Sequence, residues 1–112
     1  MATLTVTNIT LSGGTPSFVS ADSAGDLFAN TGGTTMFHVK NSDSSSHNVT
    51  FDCQKPCNYG YDHDVVVAVP AGEERIIGPF TTYRWNNADG KVSATYDAVT
   101  GLTVAAYNLV MS

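Results

Sequence analysis

Apolar and polar residues alternate along most of this chain, and glycine, proline or asparagine clusters break the alternation at short intervals. In residues 3–11 the apolar set is Leu4, Val6, Ile9 and Leu11, and the slip between Val6 and Ile9 suits a bulge in a first strand. Gly13-Gly14-Thr15-Pro16 ends that strand. Residues 17–30 fit a short helix about as well as a strand with a loop, but Gly25 interrupts them and the rest of the chain is β, so a strand and loop are expected. Residues 34–41 alternate again, with Met36, His38 and Lys40 on one face and Phe37 and Val39 on the other. The run Asn41-Ser42-Asp43-Ser44-Ser45-Ser46 reads as a polar hairpin tip, with residues 48–52 pairing back and Val49 and Phe51 facing inward.

The densest β signal lies in residues 64–96. Val65, Val66, Val67 and Val69 form a β-branched run that stops at Pro70-Ala71-Gly72. Residues 73–80 resume it as the second arm of a hairpin, and Gly78-Pro79 closes it. Asn86-Asn87-Ala88-Asp89-Gly90 is a turn-rich corner before residues 91–96 alternate, and Gly101 precedes a last strand, LTVAAYNLV. Short strands at this spacing predict an all-β fold: a single-domain antiparallel β-sandwich over residues 1–112, jelly-roll or immunoglobulin-like, of about seven or eight short strands.

Composition narrows the function classes. Charged residues make up 13% of the 112, about half the usual share, while Thr, Ser, Asn, Gly and Val abound. Such a polar, weakly charged surface is common in virion, adhesin and lectin-like β-domains. A net charge of −5, with Lys40, Lys55, Arg75, Arg84 and Lys91 scattered, argues against nucleic acid as a partner. No apolar run is long enough to span a bilayer as a helix, so no membrane partner is expected. The N-terminal MATLTVTNITL lacks a basic head and a continuous apolar stretch, which points to a first strand and to synthesis in a cytoplasm.

Few residues suggest chemistry. Cys53 and Cys57, in CQKPC, admit three readings: a metal site completed by His63 beside Asp62 and Asp64, a disulfide closing the loop, or two reduced thiols. One C-x3-C pair without a second pair is not the strong zinc spacing, so no cofactor or metal is expected, and Cys53, Cys57 and His63 are weak ligand candidates. Asp62-His63-Asp64 reads as a solvated loop, because neighbouring side chains in an extended segment point to opposite faces. Ser44, Ser45 and Ser46 with His47 lie in a tip where nothing evident in the sequence would hold a nucleophile to its base, and His38 reads as a packing or interface residue. Glu73-Glu74-Arg75 suits a charged strand edge that resists edge-to-edge pairing. Tyr83-Arg84-Trp85 combines the residue types that dominate binding hot spots, although Trp85 could equally anchor the core.

Several longer motifs resemble a pattern in small structural proteins of tailed bacteriophages. They are ADSAGDLFAN at residues 21–30, the strand MFHVKN at 36–41, VPAGEERIIGPF at 69–80 and NNADGKVSATY at 86–96. The resemblance covers most of the chain and rests on turns and strand cores; the stretch from Cys53 to Cys57 departs from it. It implies a non-enzymatic virion protein, made in the bacterial cytoplasm, that acts as a decoration or cement protein on the outside of the phage head. It implies the major capsid protein as partner and self-association as a trimer or other cyclic oligomer. Interface candidates are Leu4 and Val6 in the first strand, which could extend a neighbour's sheet, and Tyr83, Arg84 and Trp85. A head–tail or tail component is the near alternative. From other classes, a carbohydrate-binding sandwich using Trp85 and a metalloprotein using Cys53, Cys57 and His63 stand as rivals.

Overall fold

A computed structural model describes residues 2–54 and 64–110 of the chain. Among them lie ten strands, β1 (Ala2–Thr3), β2 (Val6–Ile9), β3 (Val19–Ser20), β4 (Asp26–Ala29), β5 (Thr35–Asn41), β6 (His47–Phe51), β7 (Val65–Val69), β8 (Glu74–Ile77), β9 (Lys91–Tyr96) and β10 (Leu102–Leu109), with one helical turn, α1 (Thr82–Trp85). They form two sheets of five strands. One runs β1-β4-β9-β6-β7; the other runs β2-β10-β5-β8, with β3 sharing the β2 edge of β10. The sandwich expected from the alternation is therefore present, with more strands than anticipated because the N-terminal third contributes four short ones.

Alternation sets the faces. In β5, Phe37 and Val39 are fully buried between the sheets, and in β6 Val49 and Phe51 are likewise inward, as the pattern predicted. Strand β10 pairs with β5 along seven residues, from Leu102 opposite Asn41 to Asn108 opposite Thr35, which places Val104 and Ala106 on the same inner face. At the centre four phenylalanines interlock. Phe28–Phe37, Phe37–Phe51, Phe51–Phe80 and Phe28–Phe80 have centroids 5.4, 5.2, 4.9 and 5.5 Å apart, inside the range where aromatic pairs attract beyond simple burial.

The connections differ from expectation in three places. The first strand is not one bulged strand. Ala2 and Thr3 pair in parallel with β4, then at Leu4-Thr5 the chain crosses the sandwich and β2 pairs in parallel with β10. Leu4 drops into the core at the crossing, and Val6 to Ile9 run unbulged beside β10, which puts parallel pairs at the edges of an otherwise antiparallel fold. Nor do residues 41–52 form a hairpin, since β5 lies in one sheet and β6 in the other, where it pairs with β7 and β9. The Pro70-Ala71-Gly72 turn also crosses between sheets: β7 pairs with β6, and β8 pairs with β5. Both connections are arches.

One side chain explains why both arches hold. Asn41, 2% exposed, donates from Nδ2 to Ser45 O at 2.8 Å in the first arch and to Val69 O at 3.0 Å at the mouth of the second. Its Oδ1 accepts from Asp43 N at 3.0 Å. Buried backbone carbonyls need partners, and a chain that leaves one sheet for another strands several of them at the crossing. The Asn41 amide supplies those partners.

Candidate functional site

The corner between β8 and β9 carries the residues that sequence singled out. Phe80 is buried, and Trp85 stands edge-on to it at 5.9 Å, half-buried against the core. Tyr83 is 74% exposed, the most open aromatic side chain among the described residues. Arg84 is half-buried, and its Nη1 lies 3.7 Å from Cys53 Sγ. Trp85 thus anchors the corner and Tyr83 presents it. The turn is held from below: Asn30, fully buried, donates to Phe80 O and to Asn86 Oδ1, both at 2.8 Å, while Asn86 Nδ2 returns a bond to Asn30 O at 2.6 Å. Gln54 N donates to Arg84 O at 2.8 Å, which fastens the segment after β6 to the same turn.

The other interface candidates sit differently. Leu4 is 7% exposed within the chain's own core, so its side chain is not available to a neighbour, and Val6 is half-buried against that core. Strand character in residues 2–9 is satisfied within the molecule, because β1 and β2 pair with β4 and β10. Glu74 and Arg75 lie in β8, an outer strand of its sheet, where the charged-edge reading placed them. Cys57, His63, Lys55 and Asp62 lie outside the described residues. Cys53 is buried, and its N donates to Asp64 Oδ1 at 2.9 Å. Among the described residues no three His, Cys, Asp or Glu side chains converge as a metal site.

Three polar clusters escaped sequence reasoning. His47 is not in a loose tip: it is 5% exposed, with Nε2 2.9 Å from Asp43 Oδ2 and Nδ1 3.6 Å from Asp97 Oδ1. That hydrogen bond, helped by the Ser44 amide, holds the Asp43 carboxyl below its ordinary value. On the outer face of β5 and β10, His38 is wedged between Phe18, edge-on at 4.9 Å, and Tyr107, whose hydroxyl is 3.5 Å from Nδ1, with Glu74 Oε1 3.4 Å from Nε2. Burial and the Glu74 charge push the Tyr107 phenol up. Finally Asp26, fully buried, accepts from the Tyr96 hydroxyl at 2.6 Å. Burial above all, and then the Asp26 hydrogen bond, raise the Tyr96 phenol far above its ordinary value of 10.0.

These clusters share one property: each includes a contact between residues far apart in the chain, His47 with Asp97, His38 with Tyr107 and Asp26 with Tyr96, and each centres on an acid or histidine at a buried strand position. The signal available in the sequence was the pairing of Asp26 with Phe28 at spacing i, i+2, which places both on one face of β4. No family model, curated protein or solved structure matches this chain. The fold and this geometry define it as an all-β sandwich of two mixed sheets.

Proposed function

We propose that this chain is a non-enzymatic virion structural protein that decorates the outside of a phage head and stabilises contacts between capsomers. The observation that carries the reading is the resemblance of four motifs to small structural proteins of tailed phages. Each of those motifs builds framework here. Residues 21–30 form the turn and strand that hold Asp26 and Asn30, residues 36–41 form β5, residues 69–80 form the second arch with β8, and residues 86–96 form a turn and β9. A decoration protein works by burying surface between neighbours, and a sandwich with an aromatic on a well-held corner is suited to that task.

In this reading Tyr83 is the centre of the contact with the major capsid protein, flanked by Arg84, and copies of the chain associate around the local symmetry axes of the shell. The test is to add purified protein to heads that lack it, then measure occupancy by electron microscopy and the temperature at which heads rupture. Wild-type protein is expected to saturate the head surface and raise the rupture temperature, and Tyr83→Ala to cut occupancy without altering the fold. Labelling confined to the tail or to the head–tail joint would replace this reading with its near alternative. Binding to neither, together with glycan binding that Trp85→Ala abolishes, would overturn it in favour of a carbohydrate-binding module.

A further inference from the structure

A cavity of about 310 Å³ opens where the edges of the two sheets part, lined by Ala2, Thr3, Leu4 and Thr5 on one side and Ser17, Val19 and Ser20 on the other, with Asp26 completing the wall. Strand β1 is the outer strand of one sheet and β3 lies on the outer edge of β10 in the other, so the cavity follows the open side of the sandwich. Its size is at the lower end of pockets that hold small ligands and is larger than a single water requires.

Asp26 is what makes this more than a surface dent. Its side chain is fully buried, and Oδ2 is occupied, taking the Tyr96 hydroxyl at 2.6 Å and the Asp22 amide at 3.2 Å. Its Oδ1 has no hydrogen-bond partner among the described residues. Native proteins rarely leave a buried carboxylate oxygen unpaired, because desolvation is not repaid unless a donor or a cation meets it. Among the described residues no Lys, Arg or His lines the cavity to do so. The other lining residues are Ala2 and the hydroxyl-bearing Thr3, Thr5, Ser17 and Ser20, with Leu4 and Val19 as the larger apolar members.

That combination selects a ligand chemistry. A compact head with several N–H donors and a positive charge suits one carboxylate oxygen and neighbouring hydroxyl oxygens, and a short alkyl stem suits Leu4 and Val19. A divalent cation would ask for more carboxylates than one unpaired oxygen supplies. We propose that the cavity is a binding site for an alkylammonium group, with Asp26 as its counter-charge. The group could arrive as the side chain of a lysine on a neighbouring protein chain or as a free small amine.

Titrating the whole ¹⁵N-labelled chain with n-butylammonium chloride tests this, with n-butanol and sodium chloride as controls. Saturable amide shifts are expected in residues 2–5, 17–20 and 26, absent with butanol. Asp26→Asn still offers an acceptor to Tyr96 but removes the charge, and it should weaken binding by roughly tenfold or more. Shifts that do not saturate, that butanol reproduces, or that Asp26→Asn leaves at full affinity would overturn the proposal. Should Asp26→Asn fail to fold, Ser17→Phe decides, since Ser17 is an exposed residue of the cavity wall. Lost binding at an unchanged melting temperature supports the site, and undiminished binding refutes it. A parallel titration with Nα-acetyl-lysine methylamide separates the sources: tighter binding than butylammonium assigns the site to a protein side chain, weaker binding to a free amine, and both results uphold the ammonium chemistry.

Discussion

Replacing Asn41 should loosen both arches at once. Its amide donates to Ser45 O at 2.8 Å and Val69 O at 3.0 Å, and its carbonyl accepts from Asp43 N at 3.0 Å. A buried group left without its partner costs about 1–3 kcal/mol, and an ordinary hydrogen bond contributes about 1 kcal/mol net. The Val69 carbonyl keeps a contact from Ser46 Oγ at 3.4 Å and its place opposite His47 in the β6–β7 ladder, so the cost falls on the lost amide bonds together and on the space the side chain leaves in the core. Asn41→Ala should therefore lower the unfolding free energy by about 2–4 kcal/mol, a large share of the roughly 5–15 kcal/mol typical of a domain. Asn41→Asp sharpens the test. It preserves shape and the acceptor for Asp43 N, but it turns carboxylate oxygens toward the Ser45 and Val69 carbonyls. At neutral pH it should cost more than alanine, and much of the loss should return on acidification, when a protonated carboxyl can donate again. Urea unfolding followed by the fluorescence of Trp85 reads both effects. A loss under about 0.5 kcal/mol for Asn41→Ala, the range of ordinary surface changes, or an aspartate variant as stable as wild type, would refute the account of the arches.

The other predictions concern pH and backbone. The Asp43 carboxyl, held below 3.8 chiefly by its hydrogen bond from His47, favours the folded state above that value, and the contribution is lost as the pH falls below it. Melting temperature measured across the acid range should fall less steeply for Asp43→Asn than for wild type, and equal slopes would count against the pair. At the other end, Tyr96 has a phenol raised above 10.0, so its contribution is complete below that pH and is lost as the pH rises and the unfolded chain ionises. Ultraviolet titration should find one tyrosine that ionises only on unfolding, and Tyr96→Phe should remove it while costing about 1–3 kcal/mol through the abandoned Asp26. Two glycines in the left-handed region separate strain from crowding. A Cβ on Gly101 (φ +72°) would meet Asp43 N at 2.7 Å, whereas one on Gly90 (φ +74°) meets nothing within 4 Å. Gly90→Ala should then show only the conformational cost of about 1–2 kcal/mol, and Gly101→Ala clearly more, as read from denaturant midpoints.

Local periodicity carried the strands and their faces, and it did so wherever a strand has one inner and one outer surface, as in β5 and β6. It could not decide which strands pair. Pro70-Ala71-Gly72 and the serine-rich run after Asn41 supply the backbone reversals that a hairpin and an arch both need, and the choice between them is made by partners elsewhere in the chain. Strand β8 pairs with β5 from Phe37 opposite Ile77 to Lys40 opposite Glu74, and Asn41 N extends the ladder to Glu73 O at 2.9 Å, a pairing no local pattern encodes. The polar clusters were hidden for the same reason. Asp26 and Tyr96 are 70 residues apart, and each looks like a solvated residue until β4 and β9 are set side by side, Asp26 opposite Ala94. The corner at Tyr83 was legible in part, since its residue types suggested both an anchor and a contact, and Trp85 is seated against Phe80 while Tyr83 lies exposed.

That division bears on how a contact surface can be built at the corner. The backbone around α1 is tied by Asn30 to Phe80 and Asn86, by Asn86 back to Asn30, and by Gln54 to Arg84, while Trp85 is seated against Phe80. None of these ties uses the exposed surface of Tyr83. An aromatic presented by a backbone that is already ordered loses little conformational freedom on binding, and such side chains bury large areas for few rotatable bonds. The N-terminal segment is the opposite case. Leu4 fills the core and β1 and β2 complete both sheets, so deleting residues 2–10 would report on folding before it could report on any partner. If a surface of this sandwich meets a neighbour, Tyr83→Ala is the substitution that tests it, because it leaves each of those backbone and Trp85 ties in place.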